Sequence, residues 1–284
     1  MAYRITWTDS LTTTKPSFDK FAKLQEDILS AGDPEIELHI EIESRLGLSF
    51  LFCLSTLTAL AESHGISIQI LCNEKSKNLF YYNGYIADKN VKPGTDIAPQ
   101  LYRNLRIISD VNSIYNLITE ITREAPVEMS GDLAALFTSK VGEMYNNGLE
   151  HSEARYVIGG KYFKNQKNKY CFACYDTGIG IPNKVKRYHD DSMPDLEAFQ
   201  WAMKRGNSTA NYGRHMRVPR GLGLGLLRSF AKANNGTIRI CSGKVLYTYT
   251  PQKSDRYFEL QHEFKGTLFE MDIIADNQHR YILK

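Results

Sequence analysis

The sequence predicts a mixed α/β (α+β) protein in two parts, a small βαβ unit followed by a larger α/β sandwich. Three observations carry that expectation. Ile36–Ile42 (IELHIEI) alternates apolar and polar residues, the period of a half-buried strand. Gly47–Ser63 is an apolar run of helix length that stops at His64-Gly65, and Ser67–Cys72 (SIQILC) has strand character again. Strand, helix and strand in this order imply a right-handed crossover between parallel strands.

The next break is the stretch Asp88–Pro99, where Pro93, Gly94, Thr95 and Pro99 separate better-patterned segments. It divides the chain into an expected first domain, residues 1–95, and a second, residues 96–284. Beyond it Ile107, Val111, Ile114, Ile118 and Ile121 recur at spacings of 4, 3, 4 and 3, one apolar face of a helix. Two heptads are short for a coiled coil, which favours a helix packed within the chain over a dimer stalk and leaves a homodimer open. Ser130 is placed to cap a helix over Asp132–Glu150 with Leu133, Leu136, Phe137, Val141 and Met144 as its core stripe. Tyr156–Lys164 and Lys169–Asp176 flank a polar turn and read as a hairpin. Thr237–Cys241, Val245–Thr250 and Thr267–Ile274 supply three further strands.

Composition narrows the functional classes. Lys and Arg number 35 against 32 Asp and Glu, a formal charge of +3, so nucleic acid is not indicated as the main partner. Met1–Trp7 has no basic segment followed by an apolar one, and no run reaches the roughly 18 apolar residues that span a bilayer. A cytoplasmic protein without a membrane partner is expected. The five cysteines are scattered, and Cys171 and Cys174, three apart on a strand, point to opposite faces as two buried reduced thiols.

Four short segments carry chemistry. Glu143 and Asn147, at i and i+4 of the expected helix, project a carboxylate and an amide from one face; a solvated polar face is the plainer reading of the pair alone. Asp176-Thr-Gly178-Ile-Gly180 begins where an apolar strand stops, putting a carboxylate at a strand end beside glycines that let a ligand reach the backbone; alone, it is equally a strand-ending turn. Gly221, Gly223 and Gly225 alternate directly before a new apolar helix, where bare N–H groups and the helix dipole favour an anion. A dinucleotide-binding fingerprint would need a strand before these glycines, and Asn211–Arg220 is basic and irregular instead. Gly266-Thr267 opens the last strand.

In order and spacing, Glu143 with Asn147, Asp176-x-Gly-x-Gly, Gly221-x-Gly-x-Gly and Gly266-Thr267 resemble the four boxes of the GHKL ATPase superfamily, over about Asp110–Ile274. That superfamily includes gyrase, the mismatch-repair ATPases, the heat-shock chaperone of ninety kilodaltons and the histidine kinases. The resemblance implies a Bergerat α/β sandwich that binds ATP with Mg²⁺. It assigns Asn147 to the metal, Asp176 to the adenine amine with Thr267 in support, and Gly178 and Gly180 to the base. It assigns Gly221, Gly223 and Gly225 to the phosphates and Glu143 to the catalytic activation of water. Asn183–Arg220 takes the place of an ATP lid, in which Lys204, Arg205, Arg214, Arg217 and Arg220 either meet phosphate or form a solvated basic loop.

Within that superfamily the chain looks closest to the anti-sigma-factor serine kinases and the histidine-kinase ATPase domains, and its first domain resembles a STAS domain. It has no phosphorylatable histidine segment, so it is not a complete histidine kinase, and Ser44 stands near the phospho-acceptor position of STAS proteins without the usual flanking residues. The implied function is a regulatory switch driven by Mg-ATP with slow hydrolysis, acting with a regulatory protein partner. The alternatives are a serine/threonine kinase acting on a STAS-type partner and a nucleotide-binding scaffold without chemistry.

Overall fold

The computed structural model describes residues 2–9, 12–42, 48–82, 90, 92, 94, 105–108, 110–124, 127–151, 157–164, 169–204, 207, 223–274 and 280–282. It is a mixed α/β protein. The chain forms two compact units, one of Met1–Arg106 with Leu260–Phe264, the other of Ile107–Glu259 with Lys265–Lys284. The boundary expected after residue 95 lies outside the described residues, as does Ser44.

The first unit holds three parallel strands, β1 (Tyr3–Trp7), β2 (Glu35–Ile40) and β3 (Ser67–Cys72), in that order across the sheet. Helices α1 (Lys15–Ser30) and α2 (Leu48–Ser63) connect them, and α3 (Glu74–Tyr82) follows. The alternation in β2 buries Ile36, Leu38 and Ile40. Helix α2 is apolar all round and buried along 52–61, a pattern of a helix with no solvent face. Its hydroxyls are satisfied within the helix: Thr56 donates to the Phe52 carbonyl at 2.6 Å and Thr58 to that of Ser55 at 2.9 Å. Strand β1 and helices α1 and α3 were not foreseen. In α1, Phe18, Phe21, Gln25 and Ile28 are buried on one face. Phe264 meets the Phe18 and Phe21 rings, and the Asp19 carboxylate accepts from the backbone N–H groups of Gln261 (2.7 Å) and His262 (3.0 Å).

The second unit is built on a five-stranded sheet. In chain order its main elements are β4 (Leu105–Ile108), α4 (Val111–Glu124), β5 (Glu128–Met129), α5 (Gly131–His151), β6 (Val157–Lys164) and β7 (Lys169–Asp176). There follow α6 (Ile181–Tyr188), α7 (Asp195–Met203), α8 (Gly223–Asn234), β8 (Thr237–Thr250), β9 (Ser254–Ile274, of which Leu260–Phe264 belongs to the first unit) and β10 (Arg280–Tyr281). The sheet runs β4-β6-β7-β9-β8, with β6-β7 and β7-β9 antiparallel. Ser130 caps α5 as expected, its hydroxyl accepting from Leu133 N–H at 3.4 Å. Leu133, Phe137 and Val141 are buried, joined by Tyr145, whose hydroxyl donates to the Ala173 carbonyl of β7 at 3.0 Å; Leu136 and Met144 are half-buried.

One face of the sheet meets α4, α5 and α8 in a common core that includes Ile118, Phe137, Phe172, Phe230, Ile240 and Met271. Gly142 lets α4 and α5 approach, since a Cβ there would lie 3.0 Å from Ile118 Cδ1. On the opposite face Arg239 of β8 pairs with Glu270 and, at 3.0 Å, with Asp272 of β9. Cys171 donates to Asp272, while Cys174 joins the helix-side core, so the two thiols lie on opposite faces, and all five cysteines are buried and outside any disulfide.

Three expectations are corrected. Ile107 belongs to β4, and α4 begins only at Val111, because Asp110 caps it by accepting from Ser113 N–H at 2.8 Å. The segments 237–241 and 245–250 form one strand. The core side of β8 changes phase, from Ile238 and Ile240 to Val245, Tyr247 and Tyr249, across Gly243 at φ +58°, which is the effect of a bulge. The last strand is 21 residues long and starts at Ser254. Among the described residues no helix is long and apolar enough to cross a membrane.

Candidate functional site

Strand β7 delivers Asp176 to its own end. Asp176 is 5% exposed, and one of its carboxylate oxygens accepts from Gly178 N–H at 2.9 Å, which closes the turn out of the strand. Thr267 is the direct register partner of Asp176 across the β7-β9 ladder. Both residues have the parity of Cys174 and Phe269, which lie in the helix-side core, so they share that face of the sheet at its end.

The glycines around this pair are required by space. Gly180 has φ 81° and ψ 158°, a region open essentially to glycine alone, and a Cβ on it would sit 2.9 Å from Ser242 Oγ and 3.3 Å from the Gly266 carbonyl. Gly266, at φ +85°, lies so close to β7 that a Cβ would fall 1.9 Å from the Asp176 carbonyl oxygen.

Ser242 stands at the centre of the cluster and was not singled out from the sequence. Its hydroxyl contacts Ile181 N–H at 2.8 Å, the Gly266 carbonyl at 2.9 Å and Thr267 Oγ1 at 3.0 Å. It thereby ties together the turn after β7, the bulge in β8 and the start of the Thr267 segment. Asp195 secures the bulge from outside, accepting from Lys244 N–H at 2.8 Å while pairing with Lys186 of α6. The only sequence signal for this hub is Ser242-Gly243 interrupting a strand pattern.

Glu143 and Asn147 project from α5, which packs against β6, β7 and α8. Asn147 is exposed; Glu143 is half-buried and ion-paired with Lys140, one turn earlier, at 2.9 Å. Lys140 was also missed by sequence reasoning. Gly221 lies outside the described residues, whereas Gly223 opens α8. Gly225 is exposed, and a Cβ on it would meet nothing within 4 Å.

Of the expected lid, the first part is helical and anchored: α6 and α7 pack on β8, with Val185, Ala198 and Phe199 buried. Lys204 is exposed, and Arg205, Arg214, Arg217 and Arg220 lie outside the described residues. Among the described residues no cluster of three or more His, Cys, Asp or Glu could hold a metal ion. A Mg²⁺ carried by phosphates and water with a single side-chain oxygen, the role expected of Asn147, needs no such cluster.

The arrangement can therefore offer acceptors to a donor group at Asp176 and Thr267, and helix N–H groups to an anion at the start of α8. No family model matches the chain, and a search of curated proteins finds no match.

Proposed function

We propose that the second unit binds ATP with Mg²⁺ in a pocket of the GHKL, or Bergerat, type, and that a cytoplasmic regulatory protein uses this binding as a switch with slow hydrolysis. The observation that carries the reading is the register pairing of Asp176, the last residue of β7, with Thr267 in the second half of β9, on the side of the sheet that α5 and α8 cover. Asp176 accepts from the adenine amine with Thr267 beside it, and Gly178 and Gly180 leave room for the base. Gly221, Gly223 and Gly225 serve the phosphates, and Asn147 ligates Mg²⁺. Held by Asn147, the ion would supply charge neutralisation to the phosphates. Glu143 orients or deprotonates the attacking water. The three parallel strands of the first unit support reading it as STAS-like, the part that exchanges the nucleotide state with a protein partner.

A binding-only role has one observation in its favour, the ion pair that holds Glu143 to Lys140. Phosphate release under saturating Mg-ATP separates the two. The binding claim itself is tested by titrating the wild type and Asp176→Asn with ATP and Mg²⁺. The wild type should saturate, and the variant should bind about tenfold to a hundredfold more weakly, because the amide can turn a donor toward the amine. Absence of saturable ATP binding in the wild type overturns the reading; equal affinity in a folded variant removes Asp176 from the site.

A further inference from the structure

We propose that Ser242 is a positioning residue that fixes the hydrogen-bond polarity of Thr267, so that Asp176 and Thr267 form an all-acceptor pair selective for a 6-amino over a 6-oxo purine. The inference rests on the ATP reading above and concerns which base that site admits.

The argument is one of proton counting. A serine hydroxyl has one proton and two lone pairs. Ser242 Oγ has three partners: Ile181 N–H at 2.8 Å, which can only donate, the Gly266 carbonyl at 2.9 Å, which can only accept, and Thr267 Oγ1 at 3.0 Å, which can do either. One arrangement satisfies all three. Ser242 gives its proton to Gly266, takes one from Ile181, and must take the other from Thr267. The Thr267 proton is thus turned inward, and the half-buried hydroxyl presents lone pairs to whatever lies beside Asp176.

Ser242 cannot easily turn away from this role. It is fully buried, the Gly243 bulge at φ +58° sets its backbone, and Asp195 accepts from Lys244 N–H, just past the bulge, at 2.8 Å. A purine with an exocyclic amine meets two acceptors, directly or through water. A 6-oxo purine puts an acceptor against acceptors, and the mismatch is not relieved by rotating Thr267 while Ser242 holds its proton.

The test compares ATP with inosine triphosphate, which differs at the 6 position and at N1, by calorimetric titration of wild type, Ser242→Ala, Thr267→Val and the double variant. The wild type should prefer ATP. Ser242→Ala releases the Thr267 hydroxyl to donate, so the ATP-to-ITP affinity ratio should fall about tenfold, a change typical of one buried hydrogen bond. Thr267→Val, which keeps shape and removes the hydroxyl, should lower the ratio without relying on the fold of the Ser242 variant, and the double variant should add little to either. A purely structural Ser242 would weaken both nucleotides equally and leave the ratio unchanged, which would overturn the proposal while the ATP reading stands. A ratio unaffected by Thr267→Val would overturn it as well. If the wild type binds neither nucleotide, the ATP reading falls and takes this one with it.

Discussion

Gly266 and Asp176 meet backbone to backbone: a Cβ on Gly266 would lie 1.9 Å from the Asp176 carbonyl oxygen, and the next residue along, Thr267, is the register partner of Asp176. The close approach and the alignment of the two side chains are one feature, because a shift that relieved the first would disturb the second. The Tyr175 hydroxyl, which donates to the Lys265 carbonyl at 2.5 Å, pins the same junction from the neighbouring residues.

Gly266→Ala is accordingly expected to damage stability and site together. The obstacle is backbone, which cannot swing aside as a side chain can, and φ is in the left-handed region. Strain and overpacking add, giving a loss of about 3 kcal/mol or more in denaturant unfolding. Stability within 1 kcal/mol of wild type would mean that β9 can slide on β7, and the argued alignment of Thr267 would fail.

Gly225→Ala should behave in the opposite way. This glycine lies in the first turn of α8 with open space where a Cβ would go. Replacing a helical glycine by alanine gains about 0.5–1 kcal/mol. If phosphate uses that space, the more stable variant binds ATP more weakly, by about tenfold on the scale of a lost contact to a charged group. Higher stability with unchanged affinity would detach Gly225 from the nucleotide.

The sequence disclosed those parts of this arrangement that depend on neighbours along the chain. Helix α2 and strands β2, β3, β6 and β7 follow from local periodicity, and Asp176 with its glycines stands out because a strand stops there. Ile107 was misassigned because its spacing from Val111 fits a helix, although Asp110-x-x-Ser113 already carries the capping signal that ends that reading. Helix α1 was not foreseen, although Phe18, Phe21, Leu24 and Ile28 behind Pro16 carry helical spacing. Ser242 was not legible in that way. Its importance depends on the Gly180 turn, the β8 bulge and Gly266 meeting in space, and a bulge erases the strand periodicity by which its neighbourhood would be recognised.

The cluster of Arg239, Glu270 and Asp272 predicts a pH signature. Burial alone would raise the Asp272 pKa, but the Arg239 guanidinium and the Cys171 hydrogen bond bring it below the ordinary carboxylate value. With the folded pKa depressed, this stabilisation is present above the unfolded carboxylate pKa and lost as pH falls through the folded one. Arg239→Met removes the guanidinium from two buried carboxylates, leaving the more distant Lys169 as a weaker counter-charge to Asp272, and should cost about 3–5 kcal/mol at neutral pH. Desolvation then dominates and raises the folded pKa, so the variant should regain stability on acidification where the wild type loses it. Unfolding curves from pH 7 to pH 3 decide this; parallel profiles would show that Arg239 does not control the pair.

The final prediction separates binding from turnover at Glu143. Its partner Lys140 lies on the same helix and both side chains are partly exposed, Glu143 26% and Lys140 18%, so the pair adds little to the fold, about 1 kcal/mol at most. Glu143→Ala should therefore remain folded, and a change in turnover cannot be ascribed to unfolding. As the base for water, Glu143 contributes to the reaction and not to holding the nucleotide. The variant should keep ATP affinity within a few-fold while hydrolysis falls by about 10² or more. Asn147→Ala differs in kind, because losing a Mg²⁺ ligand weakens metal-dependent binding and turnover together. Phosphate release equal to wild type in Glu143→Ala would refute the base assignment. Label passing from γ-labelled ATP to a partner protein in the wild type, with no phosphate release above background, would make Glu143 the activator of a hydroxyl and the protein a kinase.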